Sequence, residues 1–202
     1  MVSDILNPLL GAGLAWLMGA WVCRHEQGGY HFFSMPLAAL LAWVFVYTGQ
    51  PAANAIVTAA VLSTATSIDA RSSRIPNRLM GAALFLGLVL LPFQPEPLAA
   101  LLAALAGIVA LVGVRGLGYW IAGQPGMGWG DVKLAGTLGL LLGWSALWVL
   151  YLGVLVGGSA VLIGVMTRRV SRQMRVPFAP MVTAGAACLW MVPALLRWGG
   201  WA

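Results

Sequence analysis

The sequence predicts an all-α integral membrane protein, a polytopic bundle of about eight transmembrane helices. Three observations predict it. Of its 202 residues, 61% are hydrophobic and only 8% are charged, with a mean hydropathy of +0.91. A soluble domain carries about 25% charged residues, so this inventory cannot coat a water-exposed surface. Apolar stretches recur from one end to the other with no compositional break, so residues 1–202 read as one transmembrane domain. The basic residues fall in short segments between those stretches. Membrane topology produces that pattern, and it argues against nucleic-acid binding despite a net charge of +6 and a pI near 10.2.

A helix crossing the ~30 Å hydrocarbon core needs about 20 apolar residues. The stretches that approach this are Ile5–Val22, Pro36–Gly49, Ala53–Ile68, Leu79–Phe93, Leu98–Val114, Val132–Gly143, Ala146–Met166 and Phe178–Leu196. Met1-Val2-Ser3-Asp4 lacks the basic residues of a signal peptide, so the first stretch is expected to be a retained helix. Residues 132–166 would span roughly 52 Å as one helix at 1.5 Å per residue, too long for one crossing. A turn near Trp144-Ser145 divides them. With eight crossings every basic residue except Arg197 lies on one side, which the positive-inside rule assigns to the cytoplasm. Both termini are then outside.

Small residues at close-packing spacing, Gly139-x-x-x-Gly143 and Gly153-x-x-x-Gly157, let helix backbones approach one another. Packing within the chain is the preferred reading, with the seam of a homodimer as the alternative. Trp21, Trp198 and Trp201 lie near proposed span ends, where indole rings anchor at the interface. Cys23 and Cys188 form no Cys-x-x-Cys pair and read as buried, inert thiols. His25 and His31 lack the spacing and the partner acid of a zinc site, so no metal and no cofactor is expected.

Five acidic residues remain as candidates for chemistry. Asp4, Glu26 and Glu96 read as solvated charges near a terminus or in loops. Asp69 and Asp131 each stand at the cytoplasmic end of a proposed span, where an acid is costly and usually faces the bundle interior or a wet cavity. Asp69 precedes Ala70-Arg71-Ser72-Ser73-Arg74-Ile75-Pro76-Asn77, and Pro76 suits the start of the next helix, so Asp69 is expected to head a short loop. Asp131 follows Gly126-Met127-Gly128-Trp129-Gly130, whose alternate glycines allow the backbone to lie close to a peptide. Arg71, Arg74 and Arg78 are explained by topology, with tuning of the acid or lipid binding as alternatives.

These segments resemble those of the type IV prepilin peptidases. Asp69 with Arg71, Arg74 and Ile75-Pro76-Asn77 looks like the family's first catalytic motif. Gly128-Trp129-Gly130-Asp131 followed by Val132-Lys133-Leu134 matches its Gly-x-Gly-Asp motif. Val176-Pro177-Phe178-Ala179-Pro180 is similar to a Pro-Phe-Gly-Pro segment before the family's last helix, with Ala179 in place of Gly. The resemblance runs from about Ala53 to Gly185. It implies that Asp69 and Asp131 are a catalytic pair of carboxyls sharing a proton, and that the substrate is a prepilin or pseudopilin cleaved after its short basic leader on the cytoplasmic side. Gly128, Gly130 and Lys133 are candidate substrate contacts, with an interfacial snorkelling role as the alternative for Lys133. Bifunctional members carry a cysteine-rich, zinc-binding insertion after the first helix. Here only the short loop Arg24–Met35 stands at that place, so N-methyltransferase activity is expected to be absent. Two other classes compete: a small proton- or cation-coupled transporter using Asp69 and Asp131, and a non-catalytic component of a pilus or secretion assembly.

Overall fold

The computed structural model describes residues 2–23, 37–42, 51–125, 127–167 and 177–198. Among them every regular element is a helix: α1 (Val2–Cys23), α2 (37–42), α3 (Ala52–Ser72), α4 (Asn77–Leu90, prolonged by a 3-10 turn Leu91–Phe93), α5 (Pro97–Ala122), α6 (Trp129–Leu142), α7 (Ser145–Met166) and α8 (Phe178–Trp198). The loop Arg24–Met35, with Glu26, His25 and His31, lies outside the described residues, as does the basic segment 168–176.

Local chemistry sets the boundaries. Pro76, extended at φ −63° and ψ 136°, starts α4, and Pro97 opens α5. Prolines fit there because the first helical N–H groups have no partner to lose. Gly143 at φ 56° ends α6, and α7 begins at Ser145, so the long apolar stretch 132–166 divides beside the turn expected near Trp144-Ser145. Two boundaries differ from expectation. Asp69 does not head a loop: α3 runs on to Ser72, and Ser73, left-handed at φ 50°, closes it by donating its N–H to the Asp69 carbonyl at 2.8 Å. The restriction imposed by Pro76 reaches back only to Ile75, leaving another turn of helix available. α5 likewise continues beyond Val114 to Ala122, so Arg115 lies within the helix.

α3 and α6 form the core. Nearly all of α3 from Asn54 to Asp69 is buried, as is every α6 residue from Leu134 to Leu142. α3 packs on α1, α4, α6 and α8, and α6 on α3, α4, α5 and α7. Asn54 Nδ2 donates to the Leu141 carbonyl at 3.1 Å, while the Gln94 amide donates to the Leu140 carbonyl. Both bonds satisfy carbonyls that the end of α6 leaves without helical partners.

The outer helices turn apolar side chains away from this core. Pro97–Ile121 and Ser145–Gly164 are long and apolar enough to cross a membrane, and only 28% of the apolar window of each is buried. Leu9–Met18, Asn77–Phe93 and Phe178–Trp190 are shorter apolar helices. Phe85, Leu105, Val109, Trp120, Leu162 and Ile163 all face outward. An apolar exterior of this extent belongs to a helical membrane protein. Cys188 also faces outward, on α8, and is not buried as its apolar context suggested; the apolar run there supplies an outer face as well as a core face.

Glycines set the closest helix approaches. A Cβ on Gly139 would lie 2.3 Å from Ala104 Cα, and one on Gly185 would lie 2.4 Å from Gly153 N and the Val149 carbonyl. Gly139, Gly153 and Gly157 therefore serve packing within the chain, and Gly143 serves the turn. Gly185→Ala is expected to destabilise the protein by about 1–3 kcal/mol, because the obstructing atoms are backbone. Gly113→Ala, with open space around it, should be neutral or stabilising by up to about 1 kcal/mol. Thermal unfolding of both variants in detergent checks this; equal melting temperatures would sink the packing account.

Candidate active site

Asp69 occupies the last turn of α3 and is 3% exposed. Its Oδ2 accepts the main-chain N–H of Ala179 at 2.9 Å. Ala179 stands in the first turn of α8, where N–H groups lack intrahelical partners and favour a negative charge. The Thr66 and Thr183 hydroxyls, 2.7 Å apart, hold α8 against α3 alongside this bond. Because the donor is main chain, Ala179 supplies it as well as the glycine of the resembled motif would.

Asp131 lies in the first turn of α6. Its Oδ2 reaches back to accept the N–H of Gly128 at 3.1 Å, in the manner of the acidic member of a capping box. A Cβ on Gly128 would come within 3.1 Å of that same oxygen, so a side chain there would crowd the carboxylate.

α3 and α6 run antiparallel, since Asn54 near the start of α3 meets Leu141 at the end of α6. Asp69 and Asp131 therefore share one end of the bundle, near enough that the charge of Asp69 acts on Asp131. The α3–α4 loop closes over this end. A Cβ on Gly130 would meet Ile75 Cβ at 3.0 Å and the Ile75 carbonyl at 3.3 Å, and Lys133 Nζ donates to Asn77 Oδ1 at 2.7 Å. On the far side, the Arg115 guanidinium donates to the Met127 carbonyl and stacks on the Trp129 ring at 4.9 Å.

All five residues singled out from the sequence, Asp69, Gly128, Gly130, Asp131 and Lys133, thus gather at one end. The glycine positions turn out to accommodate the chain itself: Gly130 receives Ile75, and Gly128 makes room for the Asp131 carboxylate. Three participants escaped sequence reasoning. The Ala179 N–H was signalled only by a proline-flanked helix start, and the Asn77 amide by its place after Ile75-Pro76. Arg115 was signalled by a charge beside an apolar run that topology already explained. Among the described residues no three His, Cys, Asp or Glu side chains converge as metal ligands. A cavity of about 350 Å³ lined by Asn54, Gln94, Glu96, Leu141 and Trp144 lies at the opposite end and shares no residue with the carboxyl cluster.

Asp131 precedes the apolar part of α6 and lies outside the membrane-crossing segments. Burial pushes its carboxyl up to about 6 from the ordinary 3.8; the Gly128 N–H opposes the rise, and the charge of Asp69 adds to it. The folded chain thus holds this proton more tightly than the unfolded chain. The associated stability is complete below 3.8 and is lost as pH rises through about 6. Asp131→Asn is expected to gain on the wild type across that window, by on the order of 1 kcal/mol after solvent screening at a partly buried group. Melting temperatures at the two ends of the window check it, and a difference independent of pH would contradict it.

Comparison with known proteins places this arrangement. A sequence model of the type IV leader peptidase family matches residues 56–167, which include both carboxyls and the intervening glycines. A protein of Aeromonas salmonicida (strain A449) named prepilin leader peptidase/N-methyltransferase is 32% identical over 200 residues, covering 92% of this chain and 67% of its own. Proteins of the same name from Burkholderia pseudomallei (strain 1026b) and Pseudomonas aeruginosa are each 32% identical, over 171 and 159 residues, covering 82% and 76% of this chain and 55% and 54% of their own. The chain therefore spans about half to two thirds of the length of these curated relatives. No solved structure matches it. With the Asp69 and Asp131 segments and more than half of the chain inside the matched region, the protein belongs to the type IV leader peptidase family.

Proposed function

We propose that this chain is an aspartic endopeptidase that removes the short basic leader of a type IV prepilin or pseudopilin. The observation that supports the reading is that Asp69 and Asp131, on separate helices, stand at one end of the bundle within electrostatic reach of each other. Two neighbouring carboxyls cannot both ionise cheaply, so they share one proton. The ionised member takes a proton from water as the water oxygen bonds to the scissile carbonyl carbon. The protonated member donates its hydrogen to the carbonyl oxygen, giving a neutral tetrahedral intermediate. When that intermediate collapses, the carbon–nitrogen bond breaks, the amine takes a proton from one carboxyl, and the hydroxyl proton returns to the other.

In this reading the chain crosses a bacterial inner membrane eight times with both termini outside, and the basic segments support the cytoplasmic side for this end. A prepilin, whose apolar helix is itself in the bilayer, would present its leader there. The main chain at Gly128 and Gly130 and the exposed Lys133 ammonium are the proposed substrate contacts. Lys133 uses one donor on Asn77 and keeps two for a peptide carbonyl. The relatives named above carry N-methyltransferase in their names, but the loop Arg24–Met35 has no Cys-x-x-Cys pair, and the proposed activity is peptidase alone.

Co-expression with a prepilin, read as a leader-removal gel shift, tests the peptidase. Asp69→Asn and Asp131→Asn should each lower cleavage by about 10²–10⁴-fold while inserting normally. Unimpaired cleavage in both would reject the reading, and would favour a transport or assembly role. Purified protein given prepilin and a methyl donor should release a free, unmethylated N-terminus; efficient methylation would overturn that part alone.

A further inference from the structure

An arginine inside an apolar span is costly unless it finds polar partners. Arg115 lies within Pro97–Ile121, about two turns before the end of α5. Two of its partners, Met127 and Trp129, lie on and beyond the loop that follows, and the third, Tyr119, lies one turn further along α5. The guanidinium donates to the Met127 carbonyl and sits over the rings of Trp129 at 4.9 Å and Tyr119 at 5.5 Å. Topology accounts for a positive charge at this end of the bundle, but any cation satisfies topology. Stacking on two rings while donating to one carbonyl uses the flat, forked shape of guanidinium.

The bonded carbonyl is the informative part. Met127 C=O and Gly128 N–H belong to one peptide group, and that N–H donates to Asp131 Oδ2 at 3.1 Å. A peptide group is planar, so holding its oxygen fixes the direction of its N–H. A charged donor on the oxygen also polarises the amide and strengthens the N–H as a donor. Next to a glycine, little else prevents the plane from rotating. We infer that Arg115 is a positioning residue for the proposed cleavage, acting through the Met127–Gly128 peptide to aim and stabilise the Asp131 carboxylate. The inference rests on the peptidase reading for its catalytic consequence, but the contact itself can be tested without activity.

Purified wild type, Arg115→Met, Arg115→Lys and Trp129→Leu would be compared for prepilin cleavage across pH and for hydrogen exchange of the segment Gly123–Gly130. Arg115→Met should lower kcat about tenfold to a hundredfold and leave KM within about twofold. Its alkaline limb should move to higher pH, because Asp131 loses a donor to its charged form while Asp69, the charged group that acts on it from α3, is common to all variants. Arg115→Lys should recover part of the rate, and exchange in the segment should quicken in Arg115→Met. Unchanged kcat and pH profile would overturn the inference, as would a rise in KM alone, which would make Arg115 a substrate contact. If Arg115→Met does not accumulate, Arg115→Lys and Trp129→Leu decide in the same way, and an unmoved alkaline limb in both overturns it. Failure of the wild type to cleave would reject the peptidase reading instead; exchange then decides whether Arg115 holds the loop.

Discussion

The antiparallel pairing of α3 with α6 is the constraint on which the rest of the molecule depends. In lipid no hydrophobic effect drives helices together, and close packing with a few well-made hydrogen bonds must do so. The sequence of α3 is suited to this, with alanines, serines and threonines through its buried length and neighbours on four sides. At one end Asn54 ties α3 to the last turn of α6; at the other, two carboxyls come within electrostatic reach. About 22 Å of rigid helix, at 1.5 Å per residue, separates the tie from Asp69. A change of register at the Asn54 end would therefore be transmitted to the carboxyl end with little loss.

Around that pairing the remaining helices divide the work. α5 covers α6 through backbone contact at Gly139 and Gly107, and its far end brings Arg115 to the loop before Asp131. α4 carries Asn77 to Lys133, and the loop before it carries Ile75 to Gly130. α7 packs on α8 through Gly153, Gly157 and Gly185 and so braces the helix whose first turn meets Asp69. The three motif segments, scattered along the chain, become one cluster because each begins or ends a helix at the same end of the bundle.

The helical fold was legible because long apolar stretches recur along the chain, and a charged remainder of 8% is too small to coat a water-exposed surface. The turn inside residues 132–166 was legible from length alone, and the structure places it at Gly143. The two aspartates stood out as acids at span ends in specific surroundings. What sequence could not convey was contact. Ala179 gives no side-chain sign that its N–H meets a carboxylate from α3, because main-chain donors have no identity in a sequence. The glycines before Asp131 announced close approach without saying to what, and the nearest approach proved to be Ile75 for one and the acid itself for the other. Asp69 was expected to head a loop because a proline follows it, but Pro76 acts on its immediate predecessor and left the helix free to run on to Ser72.

That extra turn changes the electrostatics of the pair. Asp131 sits at the N-terminus of its own helix, where the partial positive charge of unpaired N–H groups favours a carboxylate. Asp69 sits at the opposite kind of end: the last turn of α3 exposes carbonyls, and a negative charge there is disfavoured by the same dipole. Its burial at 3% exposure adds to the penalty. The first turn of α8 opposes both, since it brings a second helix N-terminus against the carboxylate and donates an N–H to it. Each acid thus ends with a helix N-terminus facing it, one from its own helix and one from a helix far along the chain. This gives the Pro-Phe-Ala-Pro segment a physical reason to stand in the motif set although it contributes no reactive side chain. It starts a helix where an otherwise misplaced carboxylate requires one.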